Sequence, residues 1–412
     1  MIRFFSFEIE SVANSDAFTR DERQAVIMLS ALYVVRMLGL FMVLPLIAIY
    51  ATDMTGATPF LLGLAVGAYG LTQACLQIPM GWLSDLVDRR WVVAGGLLML
   101  VLGSAVAASA STMAGIVFGR FLQGSGAIAS ATMALAADFT RPSQRAKASA
   151  VIGASIAIAF ALALVIGPAL ATLGGLPMVF WGTAVLAFCG VLIVLCLPKP
   201  PPISGRFIVE GSGFEQSRLF EVLRLPSLRI MYLSIFCLHF LLMAVFVVVP
   251  SSLVTEAQIV RDHHGWVYLG ALLLSVPGIY VLVKGRRYLE HPVRSVVSGL
   301  AIVAVGLALL AWGGLSGTLL GLLLFFTGFT ALEAILPSLT SIVAPERARG
   351  TAMGVFASSQ FIGVFIGGVT GGFLLTSYGA VGVWLGTLVL IGFWTATVMV
   401  SPLRTANLAE AP

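Results

Sequence analysis

A chain of 412 residues that is 59% hydrophobic and 10% charged, with a mean hydropathy of +1.03, excludes a soluble globular fold of that length. The formal charge of +5 does not point to nucleic acid: the 23 Lys and Arg residues sit in short segments between apolar runs, as they do beside anionic membrane surfaces. The four cysteines, Cys75, Cys189, Cys196 and Cys237, fall inside apolar runs and read as packing residues rather than a disulfide framework.

In chain order, residues 1–24 are polar and mixed in charge, and Thr19 and Glu22 have capping-box spacing, which predicts a helix starting near Arg20. Runs long enough to cross roughly 30 Å of hydrocarbon at about 1.5 Å per residue follow at 25–50, 61–83, 91–111, 113–137, 146–173 and 178–197. Residues 198–228 break the pattern with prolines, glycines and mixed charge and read as a linker. Its end is either a short surface-lying helix or a polar loop. Six more runs lie at 229–254, 266–284, 294–313, 317–343, 350–376 and 380–401, before a tail over 402–412.

Of the 23 Lys and Arg residues, Arg261 alone falls in the loops after odd-numbered spans, and Arg36 and Arg120 lie within spans. The rest share one side with both termini and the linker. Basic loops stay inside, so both termini are expected in the cytoplasm. Pro142-Ser-Gln-Arg-Ala-Lys-Ala-Ser-Ala before the fifth span is similar to Pro345-Glu-Arg-Ala-Arg-Gly-Thr-Ala before the eleventh, so the halves look duplicated.

Between the second and third spans, Gly81-x-Leu83-Ser84-Asp85-x-x-x-Arg89-Arg90 resembles the signature of the major facilitator superfamily of secondary transporters. It departs from that pattern at Leu86, where a basic residue is usual, and at Asp88, where glycine is. Arg120-x-x-Gln123-Gly124 is similar to the fourth-span signature, and Ala163-x-x-x-Gly167-Pro168 to an antiporter motif, with alanines at positions where that motif prefers glycine. Longer strings, among them 36–45, 69–73, 122–129 and 332–339, resemble the YajR-like drug/proton antiporters. The resemblance implies an all-α membrane protein of twelve transmembrane helices in two six-helix bundles, 25–197 and 229–401, that rock about a central site.

The resemblance also implies a cytoplasmic gate of Gly81, Asp85, Arg89 and Arg90 with Asp138 as second carboxylate. Retention of positive charge alone would account for Arg89 and Arg90 but not Asp85, and Asp138 by itself reads equally as a surface acid beside Arg141. Polar and aromatic groups within the apolar spans outline a substrate cavity: Tyr33, Arg36, Phe41, Gln73, Arg120 and Gln123 against His239 and Glu333 across the midplane. Each has a plainer reading. The arginines would hold backbone carbonyls inside a bundle, the glutamines would join helices, and His239 would be a hydrogen-bonded packing residue. Of the 18 acids, Glu333 alone lies deep within a span, where burial favours its neutral form, so it is the expected proton carrier with Arg36 and His239 as partners. A fixed salt bridge is the competing reading. His263 and His264 read as part of a solvated loop rather than a metal site.

No phosphate-binding Gly-rich loop, His-Glu-x-x-His or Gly-x-Ser-x-Gly occurs, so an enzyme is not expected and uphill transport would draw on an ion gradient. The expectation is a monomeric, proton-coupled exporter of small amphipathic or drug-like compounds in the inner membrane. Its partners are substrate, protons and the bilayer, without nucleic acid, cofactor or metal. A symporter or facilitator for a small metabolite, and a non-transporting sensor, are the alternatives.

Overall fold

In the computed structural model the described residues are 17–50, 54–141, 144–198, 216–283, 287–345 and 348–405. Most of the expected linker and part of both repeated Pro-containing loops lie outside them, as does the side chain of Asp85. Apart from a bridge between Thr55 and Thr112, regular structure among the described residues is helical.

Helix α1 (Arg20–Tyr50) begins at a reciprocal cap, with Thr19 N–H donating to Glu22 Oε2 at 2.8 Å and Glu22 N–H to Thr19 Oγ1 at 3.2 Å. Arg141 donates to Glu22 from its backbone at 2.8 Å and from its side chain at 2.9 and 3.0 Å, tying the start of α1 to the loop before the fifth span. Burial opposes ionisation of Glu22, and the bonds from Arg141 and Thr19 outweigh it, holding this carboxyl at about 2.

Helices α2 (Pro59–Leu86) and α3 (Arg89–Ala108) are separated only by Val87 and Asp88. The charged turn is thus tighter than its polar residues suggest: Gly81 and Asp85 belong to the last turns of α2, and Arg89 and Arg90 to the first turn of α3. Hydropathy marks where hydrocarbon ends, whereas backbone hydrogen bonding lets a helix run on into the headgroup layer. Asp88 starts α3 by accepting from Arg90 N–H at 3.0 Å.

The fourth span is discontinuous, as α4 (Met113–Ser125) and α5 (Ala129–Asp138). The break falls at Gly126, which lies against the carbonyl of Gly96 on α3, too close for a side chain. By contrast, α6 (Arg145–Cys196) carries two spans that fold back at Gly174–Gly175, with φ +65° at Gly175. After α7 (Gln216–Arg224) come α8 (Pro226–Thr255), α9 (His264–Val283), the single turn α10 (Arg287–Glu290), α11 (Pro292–Trp312) and α12 (Gly314–Val343). Helix α13 (Arg349–Met399) again carries two spans, folding back at Gly379 with φ +66°. Among the described residues nine helices are long and apolar enough to cross a membrane. With α6 and α13 each doubling back and α4–α5 forming one crossing, they make the twelve-helix architecture of the major facilitator fold. At the linker's end the short helix prevails over the loop: α7 buries Val222 and leaves Phe220 exposed.

In the first half α1 and α3 pack on α6, and α2 and α3 on α4; in the second α8 packs on α13, and α9 and α11 on α12. The halves meet chiefly through α2 with α13, α6 with α9, and α1 with α8. These junctions lie at the end away from the basic turns. Gly63 of α2 sits against the carbonyl of Gly368, and the position of a side chain on Gly67 would fall 2.7 Å from the carbonyl of Phe365. Gly265 lies against the carbonyl of Leu164, and the Arg261 guanidinium lies 5.9 Å from the centre of the Tyr50 ring. At the basic end, among the described residues, Gly81 neighbours only Ser130 of its own half, and Gly153, Gly350 and Gly354 have no heavy atom within 4 Å of where a side chain would start. The halves are closed at one end and parted at the other.

Candidate functional site

The first half contributes α1, α2 and α4. Arg120 is 1% exposed and engaged throughout its guanidinium: Nε donates to Ala65 O at 3.1 Å, Nη2 to Val66 O at 3.5 Å, and Nη1 to Gln123 Oε1 at 2.9 Å. It also lies 5.3 Å from the centre of the Tyr69 ring. Gln123 Nε2 continues to Ser104 Oγ on α3 at 2.8 Å. This is the plainer reading of Arg120 and Gln123: they join α2, α3 and α4. Thr72 Oγ1 adds a bond to Phe121 O at 2.9 Å.

Arg36 is placed differently. It is 3% exposed, its Nη2 donates to Tyr69 Oη at 3.3 Å, and its Nη1 is buried without a hydrogen-bond partner. No carboxylate among the described residues pairs with it. Gln73, one turn beyond Tyr69 on α2, donates to Gln77 Oε1 at 3.0 Å while its own Oε1 is also buried and unpartnered. Tyr33 bonds to Ala129 O at 3.2 Å, beside the break in the fourth span.

On the second half, His239 of α8, Glu333 of α12 and Gln360 of α13 converge. Gln360 Nε2 lies 2.7 Å from His239 Nε2 and 3.4 Å from Glu333 Oε1. His239 Nδ1 faces the carbonyl of Ile235 at 3.3 Å, which suits the tautomer carrying hydrogen on Nδ1 and leaves Nε2 to accept from Gln360. Glu333 Oε2 is 3.7 Å from His239 Nε2, beyond hydrogen-bond length, and has no other partner. Glu333 forms no ion pair with Arg36 or Arg120, so the fixed salt bridge between Glu333 and a span arginine is absent from this state.

Aromatic rings connect the two sides. Phe41 meets Phe160 at 5.0 Å and Phe160 meets Phe326 of the other half at 6.4 Å, both edge-to-face. Tyr69 likewise faces Phe361 at 6.2 Å. Gly167 packs its backbone on Met42 of α1, and Pro168 borders Gly265 of α9, so the glycine–proline motif lies at the closed end where three helices meet.

At the basic end Arg89 Nη1 is 3.5 Å from Asp138 Oδ1. Arg90 turns instead to Asp88 Oδ2 at 2.6 Å and to Leu197 O at 3.4 Å. Asp138 therefore partners Arg89, while Arg141 partners Glu22. Sequence reasoning left three participants unassigned. Tyr69 and Phe361 have no distinguishing spacing, whereas Gln360 is visible as a polar residue in an apolar run without its partner being readable.

The sequence pattern of the Major Facilitator Superfamily matches residues 29–368. The chain belongs to that superfamily, and it is a multi-pass membrane transporter rather than an enzyme. It is 39% identical over 403 residues to the inner membrane transport protein YajR of Escherichia coli (strain K12), covering 96% of this chain and 87% of that one. It is 26% identical over 346 residues to the multidrug resistance protein MdtH of Aeromonas hydrophila subsp. hydrophila, covering 81% and 82%. A bacterial homolog to the human lysosomal transporter Spinster, solved inward-facing and unoccupied, shares the fold at a TM-score of 0.72 and 14% identity, over 93% of this chain and 97% of that one. The nucleoside transporter NupG does so at 0.71 and 16%, over 91% and 97%.

Proposed function

We propose that this transporter exports small amphipathic or drug-like compounds from the cell in exchange for protons, and that Glu333 carries the proton. The observation that supports this is the chain Glu333–Gln360–His239. An amide has a donor end and an acceptor end. As oriented here, its NH2 group faces Glu333 Oε1 and His239 Nε2, both able to accept a hydrogen bond. A protonated Glu333 favours the reversed amide, whose oxygen accepts from the new O–H, while the bond from the NH2 group to His239 Nε2 is lost. One proton thereby reorganises contacts among α8, α12 and α13, helices that border the boundary between the halves. A proton crossing the full field gains about 2.3 kcal/mol per 100 mV, enough for a concentration ratio of several tens, so one carboxyl suffices.

Alternating access follows from two halves, 25–197 and 229–401, that touch at one end at a time. With both termini in the cytoplasm the basic end faces inward, and this state is open to the cytoplasm of an inner-membrane protein acting as a monomer. Gly81, Asp85, Arg89, Arg90 and Asp138 then form the gate that closes when the other end opens. The multidrug resistance relatives support a cargo of drug-like compounds. The test is efflux from proteoliposomes under an imposed pH gradient: Glu333→Gln should abolish gradient-driven efflux and leave counterflow exchange. Undiminished proton-driven efflux in a stable E333Q protein would overturn the assignment.

A further inference from the structure

We infer that Arg36 binds the anionic group of the substrate, so that the exported compounds are amphipathic organic anions such as aryl or alkyl carboxylates. This rests on the transport reading above and names the cargo of that site.

Two arginines are buried in the first half, and their surroundings differ. Arg120 has a partner for every guanidinium nitrogen and an aromatic face beside it. Arg36 has one bond, to a neutral phenol, and a buried Nη1 aimed at no acceptor. A guanidinium does not shed its proton, and a fixed cation in a span is costly to keep without a counter-charge. Among the described residues the second half does not supply one: Glu333 accepts from Gln360 instead of reaching Arg36. A carboxylate accepts from Nη1 in a charge-assisted bond. The neighbouring unpartnered Gln73 Oε1 accepts from an N–H or O–H group beside that carboxylate. The apolar body has aromatic surface from both halves, because Phe361 closes edge-on over Tyr69.

A proton entering as an anion leaves moves two charges in the same electrical sense, so an inside-negative potential alone should drive anion efflux.

Counterflow exchange in proteoliposomes without any ion gradient tests the cargo separately from proton coupling. The probes are matched carboxylates and amines with phenyl, naphthyl or decyl bodies. The carboxylates should exchange and the amines should not. Arg36→Gln should weaken carboxylate exchange by about 10-fold or more, with Arg36→Lys intermediate. Preference for the amines, no exchange by any carboxylate, or an undiminished R36Q would overturn the inference. If R36Q proves unstable, wild-type selectivity and R36K decide. Because an anionic headgroup has the same chemistry, each assay is run in phosphatidylcholine with and without phosphatidylglycerol. Loss of carboxylate exchange on adding phosphatidylglycerol would assign Arg36 to lipid and overturn the soluble cargo.

Discussion

Phe361 of one half stands edge-on to Tyr69 of the other with ring centres 6.2 Å apart, and the same tyrosine receives the Arg36 hydrogen bond. A contact between the halves is thereby joined to the polar cluster. Such an aromatic pair contributes about 0.5–1.5 kcal/mol, so Phe361→Ala should shift the balance towards opening of the closed end by about 2- to 10-fold. Spin-label distances across α2 and α13 would measure the shift, and an unchanged distribution would dissociate this contact from the conformational balance.

The α2–α13 register extends to a prediction about the opposite state. Gly63 meets Gly368 and Gly372, Gly67 meets Phe365, and Gly70 meets Phe361, two antiparallel stripes of small residues and backbone. Continuing those stripes along both helices brings Gly81 opposite Gly354, which has open space beside it here. A leucine at Gly67 should prevent the observed closure, and a leucine at Gly354 should prevent closure of the basic end. Both should abolish transport, but cysteine labelling from the two sides of the membrane should change in opposite senses. The same direction of change in both variants would exclude a rocking motion on this seam.

The Arg89–Asp138 pair is partly exposed and 3.5 Å long, so it contributes little to stability, about 0–1 kcal/mol. Asp138→Asn should leave the melting temperature nearly unchanged while increasing accessibility of the basic end during turnover. A large loss of thermal stability would instead make this pair structural.

The cap at the start of α1 gives a stability prediction with a pH sign. The Glu22 carboxyl is lowered from 4.5 to about 2, burial opposing and Arg141 favouring its charge. A carboxyl lowered on folding stabilises fully above its unfolded value, so this contribution is present above 4.5 and is lost as pH falls towards about 2. Glu22→Gln should reduce stability at neutral pH by about 1–2 kcal/mol and flatten the acid limb of the melting curve.

The twelve crossings were readable because each is a long apolar run, and the capping box because Thr19 and Glu22 act within one turn. The break at Gly126 was not, since it depends on the backbone of Gly96 in another helix. Hydropathy likewise marked the polar residues that interrupt spans, but not which of them face each other. Arg36 and Arg120 look alike in sequence. Only the carbonyls of Ala65 and Val66, exposed to Arg120 by the approach of α2 and α4, separate a structural arginine from one with an unpartnered nitrogen. Gln360 lies 121 residues from His239 and 27 from Glu333, and no spacing rule reaches across such intervals.

That glutamine gives the most discriminating test of coupling. Its amide nitrogen is 2.7 Å from His239 Nε2 and 3.4 Å from Glu333 Oε1, so it bridges the two side chains. Gln360→Ala removes the bridge and leaves both titratable groups. If the amide links protonation to helix movement, Q360A should keep counterflow exchange, because binding and rocking survive, and lose about 10-fold of pH-driven efflux, because a proton on Glu333 no longer alters the contact with α8. Gln360→Glu places a second carboxyl beside Glu333, and like charges at that range favour one shared proton, so its pH profile should broaden towards higher pH. Infrared spectra of the carboxyl stretch, compared between E333Q and wild type, would report the protonation directly. Wild-type coupling and pH profile in both Gln360 variants would remove the amide from the pathway and leave Glu333 and His239 to act without it.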